Sequence, residues 1–324
     1  MHRSLRWFAG AAAAALLLAG CGSGDDDPVV LRLAGAVDRP GEYRLDDVAR
    51  GTPVTQSVSY ISGNGSQSRT YTGTTLWQLL SDAGIQLNSA NRNDVLNRYV
   101  LATAPDGYRV VFSLGEINPD YGNKASLVAY AETVNGASVS LSDTDGPLRV
   151  TAPGDVRGGR YVSMLDRLEV RSSGSTLAGI GGGVSPTFSV SGAVERPVTL
   201  DLAALQAMPA VTQDVNGSIY TGVSLWTLLN TEAGIKTDPA TTHNPMLSMY
   251  AVATGSDGYK TVVTLGEIHP NFGNKPAMIA YSVNGELLDR NGMARLVMPG
   301  DVRNGRFVSN LVGIEVMQAA GPTP

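Results

Sequence analysis

Residues 106–130 read DGYRVVFSLGEINPDYGNKASLVAY, and residues 257–281 read DGYKTVVTLGEIHPNFGNKPAMIAY. The two strings agree at 14 of 25 positions without a gap. Unrelated segments do not share DGY, LGEI and GNK in one order, so the chain is an internal duplication and one unit used twice is the object to explain. The same punctuation extends outward from this block. Each copy opens with an alternating strand closed by Arg-Pro, LRLAGAVDRPGEYRL (31–45) and FSVSGAVERPVTL (188–200). A short helix should follow, with Asp46 and Asp201 as N-caps. Next come YTGTTLWQLLSDAGI (71–85) and YTGVSLWTLLNTEAGI (220–235). In the first, Leu76, Leu79, Leu80 and Ala83 follow an i, i+3, i+4, i+7 spacing and Gly84 stands at a C-cap, which predicts an amphipathic helix packed on a sheet. Trp77 and Trp226 in these runs are expected at the core or its edge.

The block itself continues the strand pattern. YVLATAPDGYRVVFSL (99–114) and YAVATGSDGYKTVVTL (250–265) each read as strand, Asp-Gly turn, strand, with Asp106 and Asp257 serving the turn. Further strands meet at Asn135-Gly136 and Asn284-Gly285, and a last one carries Arg149 or Arg295 before PGDVRGGR (153–160) or PGDVRNGR (299–306). Strands dominate, with two short helices per copy, so the fold class is α+β. The units are a leader at 1–20, a tether at 21–29, copy one at 30–171, a Gly/Ser-rich linker at 172–186, copy two at 187–317 and a tail at 318–324. As a coil, the linker spans roughly 20 Å, so the copies are free either to pack together or to stay apart.

The N-terminus has a basic start at Arg3 and Arg6, an apolar run from Ala11 to Leu18 and small residues before Cys21, which is the pattern of a signal peptide. That run is too short to span a bilayer as a helix. The formal charge of −5 becomes more negative once Arg3 and Arg6 leave with the leader, which argues against nucleic acid as a partner. Cys21 is the chain's single cysteine, so the folded copies have neither a disulfide nor a thiolate for metal binding or nucleophilic attack. Histidine offers little: His243 and His269 occur in copy two alone, with Asn118 opposite His269, and no His/Cys/carboxylate cluster has metal-ligand spacing.

The strongest candidate site is the glycine–arginine loop: Gly154, Asp155, Arg157, Gly159 and Arg160 in copy one, and Gly300, Asp301, Arg303, Gly305 and Arg306 in copy two. Its glycines let the backbone approach a ligand, and its two arginines offer planar donors to phosphate or carboxylate. The competing reading is a tight turn whose arginines pair with Asp155, Asp301 or nearby carboxylates. Glu116 with Lys124, and Glu267 with Lys275, are candidates for a buried pair that fixes each unit.

Two resemblances add expectations. Leu18, Ala19, Gly20 and Cys21 resemble the lipobox of bacterial lipoproteins, which implies lipidation of Cys21 as the first mature residue; Gly22 after it implies sorting to the outer membrane, facing the periplasm. The order strand-Pro, YTG, LWxLL, DGY, AY, NG, LRVTAPG or ARLVMPG and a Gly-rich loop resembles the molybdopterin-binding domain of the sulfite oxidase family, over most of both copies. That resemblance implies a sulfite-oxidase-type fold in each copy, with a molybdopterin held partly by the loops 154–160 and 300–306. The sequence departs from the family where metal is bound. The family's cysteine precedes a Gly-Asn pair, but Gly63-Asn64 follows Ile61 and Ser62, and the span Asp214 to Ile219 is eight residues shorter than Ser57 to Thr70. The family's lysine and tryptophan after the loop are also missing, with Ser163 and Ser309 near those positions. Two function classes follow. One is a non-catalytic envelope lipoprotein that binds an anionic small molecule or an envelope protein; the other is a molybdopterin-dependent oxidoreductase, or a cofactor-binding subunit of one.

Overall fold

The computed structural model describes residues 27–238 and 243–322, so Cys21, the leader and most of the tether lie outside the described residues. In copy one the strands are β1 (Val29–Gly35), β2 (Gly41–Arg44), β3 (Val54–Ser62), β4 (Gly65–Thr75), β5 (Arg98–Thr103), β6 (Arg109–Ser113), β7 (Leu127–Val134), β8 (Ala137–Ser140), β9 (Arg149–Val150) and β10 (Arg167–Ser172). Copy two repeats them as β11 (Phe188–Gly192), β12 (Val198–Leu200), β13 (Ala210–Val215), β14 (Ser218–Ser224), β15 (Met249–Gly255), β16 (Lys260–Thr264), β17 (Met278–Val283), β18 (Glu286–Leu287), β19 (Arg295–Val297) and β20 (Leu311–Gln318). Each copy forms two sheets. One has the order β2-β1-β10-β5-β6, matched by β12-β11-β20-β15-β16; the other is β3-β4-β7-β8 with β9 also on β7, matched by β13-β14-β17-β18 with β19 on β17.

The first and last strands of a copy lie side by side and parallel, with Arg32 opposite Arg167 and Ser189 opposite Gly313. Each copy therefore closes on itself. Its core lies between its two sheets: Leu31, Leu33, Val100, Ala102, Phe112 and Leu168 meet Tyr71, Leu127, Ala129 and Val150. Helix α2 (Leu76–Ala83), which follows α1 (Leu45–Ala49), adds Leu76, Leu79, Leu80 and Ala83 to that core, is capped by the Thr75 hydroxyl and ends at Gly84 with φ +79°. The expected helix is thus present, and Trp77 and Trp226 pack half-buried at the core edges.

One local expectation is corrected. Asp46 does not cap α1; the helix starts two residues earlier, with Arg44 at the N-cap, so Asp47 stands at its third position and its carboxylate accepts the Arg44 backbone N–H. Asp201 does cap the matching helix, accepting from the Ala204 N–H at 2.8 Å. Copy two also carries one extra residue between its LW and AG, and the helix absorbs it as a π-helical turn over Leu228–Ala233.

The copies pack on each other through the outer faces of their mixed sheets. Strand β5 is buried on both faces: Val100 and Ala102 point to their own core, while Tyr99 and Leu101, with Val111 of β6, meet Tyr250, Val252 and Val262. The Tyr99 and Tyr250 rings lie 4.6 Å apart. An unbroken apolar run such as YVLA is what a strand covered on both faces requires. The linker is laid along copy two, where the Ser256 carbonyl accepts from the Ile180 and Gly182 N–H groups and Lys260 donates to the Leu177 carbonyl. Among the described residues no helix is long and apolar enough to cross a membrane.

Candidate functional site

The two glycine–arginine loops meet between the copies. In copy one the chain leaves β9, turns at Gly154 with φ +82°, and turns back through a short 3-10 segment at Gly158–Arg160. This aims the Arg160 side chain inward, where it is fully buried. Its Nε and Nη2 donate to the Asp155 carboxylate at 2.7 and 2.8 Å, and Nη1 donates to Glu116 at 2.7 Å. Lys124 completes the group by pairing with Asp155 at 2.7 Å. Copy two repeats the arrangement: Arg306 holds Asp301 through Nε at 2.7 Å and Glu267 through Nη1 at 2.8 Å, and Lys275 pairs with Asp301.

Each arginine keeps its ion pairs within its own copy, but its stem packs against the other. The Arg160 side chain crosses Gly266, where an added Cβ would lie 2.6 Å from its Cδ, and its Nη2 would lie 2.8 Å from a Cβ on Gly273. Arg306 makes the reciprocal contacts with Gly115 and Gly122 of copy one. The Phe272 ring lies on Gly159 and the Tyr121 ring on Gly305. The Val156 N–H donates to the Phe272 carbonyl at 3.0 Å, and the Val302 N–H to the Tyr121 carbonyl at 2.8 Å. The glycines do permit close approach, and what approaches is the other copy.

Charge explains why such a buried group persists. Four cations (Arg160, Arg306, Lys124, Lys275) face four anions (Asp155, Asp301, Glu116, Glu267), so no charge is left over for solvent to neutralise. Burial alone would raise the Asp155 carboxyl, but Arg160 and Lys124 outweigh it and hold Asp155 below its ordinary range. At Glu267 burial wins, reinforced by the nearby Glu116 across the copy boundary, and that carboxyl is pushed up despite Arg306. The expected pairing of Glu116 with Lys124 is corrected: Glu116 pairs with Arg160 and Lys124 with Asp155, and copy two exchanges its partners in the same way.

The remaining loop residues face outward. Arg157 is exposed beside the β3–β4 hairpin tip, where the Ile61 N–H donates to the Val156 carbonyl at 3.0 Å. Arg303 is 70% exposed and lies 3.4 Å from Asp120 of copy one. The two arginines of one loop therefore do not form a paired fork. Asp106 and Asp257 accept from the Tyr108 and Tyr259 N–H groups, as turn residues do. His243 is exposed, while His269 is packed between Trp226 and Phe272 and its pKa is lowered by burial.

The residues present do not fit the molybdopterin that the resemblance implies. Arg160 and Arg306 already hold two carboxylates each, the loop glycines carry Phe272 and Tyr121, and Ile61 and Ser62 stand where a metal-binding thiolate would. Among the described residues no group of three or more His, Cys, Asp or Glu is placed to hold a metal ion.

Sequence reading passed over Arg149 and Arg295. Arg149 is buried beside Tyr60, Tyr71 and Tyr161 and pairs with Asp145, which also accepts from the Ser163 hydroxyl at 3.1 Å. In copy two Asn291 takes the place of Asp145 and accepts from the Ser309 hydroxyl at 2.9 Å. The signal was present in the sequence, as DGPLR against NGMAR.

No family model matches the chain, and no curated protein does. Among solved structures, the crystal structure of the sulfane dehydrogenase SoxCD from Paracoccus pantotrophus is similar at 14% identity and a TM-score of 0.36, over 90% of this chain and 77% of that chain. A likeness at that TM-score does not establish a shared fold.

Proposed function

We propose that this chain is a lipid-anchored protein of the bacterial envelope whose two sulfite-oxidase-type copies act together as a non-catalytic binding or interaction module. The observation that carries this reading is the complete burial of Arg160 and Arg306 between the copies, each neutralised by two carboxylates. Loops that would hold an anionic cofactor instead staple one copy to the other. The absence of any cysteine after Cys21 supports the same reading, because a site without a thiolate lacks the soft ligand that the family's metal chemistry uses. The lipobox-like Leu18 to Cys21 and the following Gly22 support an outer-membrane anchor, with the acidic tether holding the copies off the bilayer.

Metal analysis and pterin fluorescence on protein purified from exporting cells test the first part. The expected result is no stoichiometric molybdenum and no pterin; one molybdenum per chain would overturn the module reading. For the anchor, Cys21→Ala should shift the protein from the membrane fraction to the soluble fraction, and unchanged partition would remove the lipid from the proposal.

A further inference from the structure

Copy two contains a cation without a carboxylate partner. The Arg295 side chain has Nη1 at 3.3 Å from the Tyr220 hydroxyl and its guanidinium 5.2 Å from the centre of the Phe307 ring; its buried Nε has no hydrogen-bond partner, which is equally true of Arg149 Nε, so the copies differ in the carboxylate. Among the described residues no ion pair is made to it, whereas Arg149 at the same place in copy one is paired with Asp145. Burial lowers the Arg295 pKa, with only Tyr220 opposing. A half-buried guanidinium with nothing to neutralise it is costly, and the cost is removed when an anion arrives.

There is room for one. A cavity of about 350 Å³ opens over Arg295, with walls from three parts of the chain: Arg92 and Asn93 of copy one, Gly182 and Gly183 of the linker, and Asp257 and Tyr259 of copy two. Arg92, 72% exposed, reaches over the cavity with its guanidinium 4.7 Å from the Tyr259 ring centre and 3.6 Å from Asp257. In copy one the long β3–β4 hairpin brings Tyr60 against Tyr161, with ring centres 4.1 Å apart, and beside Arg149. The eight-residue-shorter hairpin of copy two has no counterpart to that tyrosine.

We propose that this cavity is a binding site for a small carboxylate, with Arg295 as the principal donor and Arg92 as the second. The charged groups lining the cavity, two arginines and one aspartate, leave a single positive charge, which matches a monoanion better than a phosphate dianion. The ring of Phe307 gives a short organic body one apolar contact in a cavity otherwise lined mainly by polar groups. Because the walls come from both copies and the linker, an occupant ties the copies together, and binding stabilises the assembled chain. The inference deepens the binding-module reading and fails separately from it: molybdenum content bears on that reading, whereas the titrations below bear on this site alone.

The test is calorimetric titration of the full chain with acetate, benzoate and inorganic phosphate, on wild type and three variants. One saturable carboxylate site per chain is expected, with phosphate weaker. Asn291→Asp, which supplies the copy-one ion pair to Arg295, should weaken carboxylate binding tenfold or more without lowering the melting temperature. Arg295→Gln should do the same, and Asp145→Asn should leave the copy-two site intact. Unchanged binding in Asn291→Asp, tighter binding of phosphate than of carboxylate, or no saturable carboxylate binding to wild type would each overturn the proposal. The conservative Asn291 variant keeps the test open should Arg295→Gln fail to fold.

Discussion

Replacing Arg160 with methionine separates a staple from a ligand site. Methionine retains much of the apolar stem that crosses Gly266 but removes three charge-assisted hydrogen bonds of 2.7–2.8 Å. Asp155 keeps Lys124, whereas Glu116, 2% exposed, keeps only the Thr264 hydroxyl at 3.4 Å. Breaking a buried pair from one side costs about 3–5 kcal/mol, because the orphaned carboxylate stays desolvated. For a cooperative unit of 150–250 residues this corresponds to a fall in Tm of about 6–20 °C. Arg157→Ala, three residues away and exposed, should lie within about 0.5 kcal/mol of wild type. Urea unfolding at pH 7 followed by far-UV circular dichroism measures both. Adding Glu116→Gln to Arg160→Met should recover part of the loss, since it discharges the orphan. The reasoning is refuted if Arg160→Met lies within about 1 kcal/mol of wild type, or if Arg157→Ala is as damaging.

Three further outcomes follow from the same contacts. Gly305→Ala drives a methyl into the Tyr121 ring of the other copy and should cost about 1–3 kcal/mol, with Tyr121→Leu relieving it in the double variant; a neutral single variant would show that the loops do not fit that closely. Tyr99→Ala removes one ring of the pair at the copy boundary and should cost about 3–5 kcal/mol of unfolding free energy in urea, while a loss below about 1 kcal/mol would mean that the sheets do not rely on this contact. Stability against pH should show two opposed contributions. Asp155, depressed in the folded state, stabilises above its unfolded value of about 3.9 and loses that contribution as pH falls through its folded value. Glu267, raised in the folded state, contributes fully below about 4.3 and loses that contribution as pH rises through its folded value. Glu267→Gln should therefore flatten the decline above about pH 4.3, and a variant with the wild-type profile would contradict the assignment.

What could be read from the sequence was local. The duplication rests on the matching strings 106–130 and 257–281, and the Asn135-Gly136 and Asn284-Gly285 turns with φ near +50° and +80°, like α2 with its Gly84 terminus, rest on preferences of adjacent residues. Asp46 shows the limit even there, because a helix start two residues earlier puts Arg44 at the N-cap and leaves the capping contact to Asp47. The site was legible only as a loop of suggestive composition, whose competing reading as a turn with internal ion pairs anticipated the Asp155 and Asp301 partners but not the other copy.

The amino-acid sequence by itself determined that one strand-rich unit is used twice and where most of its strands and turns fall, since φ/ψ preference and side-chain periodicity act over a few residues; it did not show the further short helix of each copy, Leu114–Ile117 and Leu265–Ile268. Tertiary structure alone decided that Glu116 pairs with Arg160, 44 residues on, rather than Lys124, eight residues on. It also decided that Gly266 and Gly273 lie against an arginine from the other copy. The physical reason is that a buried charge takes whichever partner removes it from solvent most completely, and that partner is fixed by how the two sheets pack, not by distance along the chain.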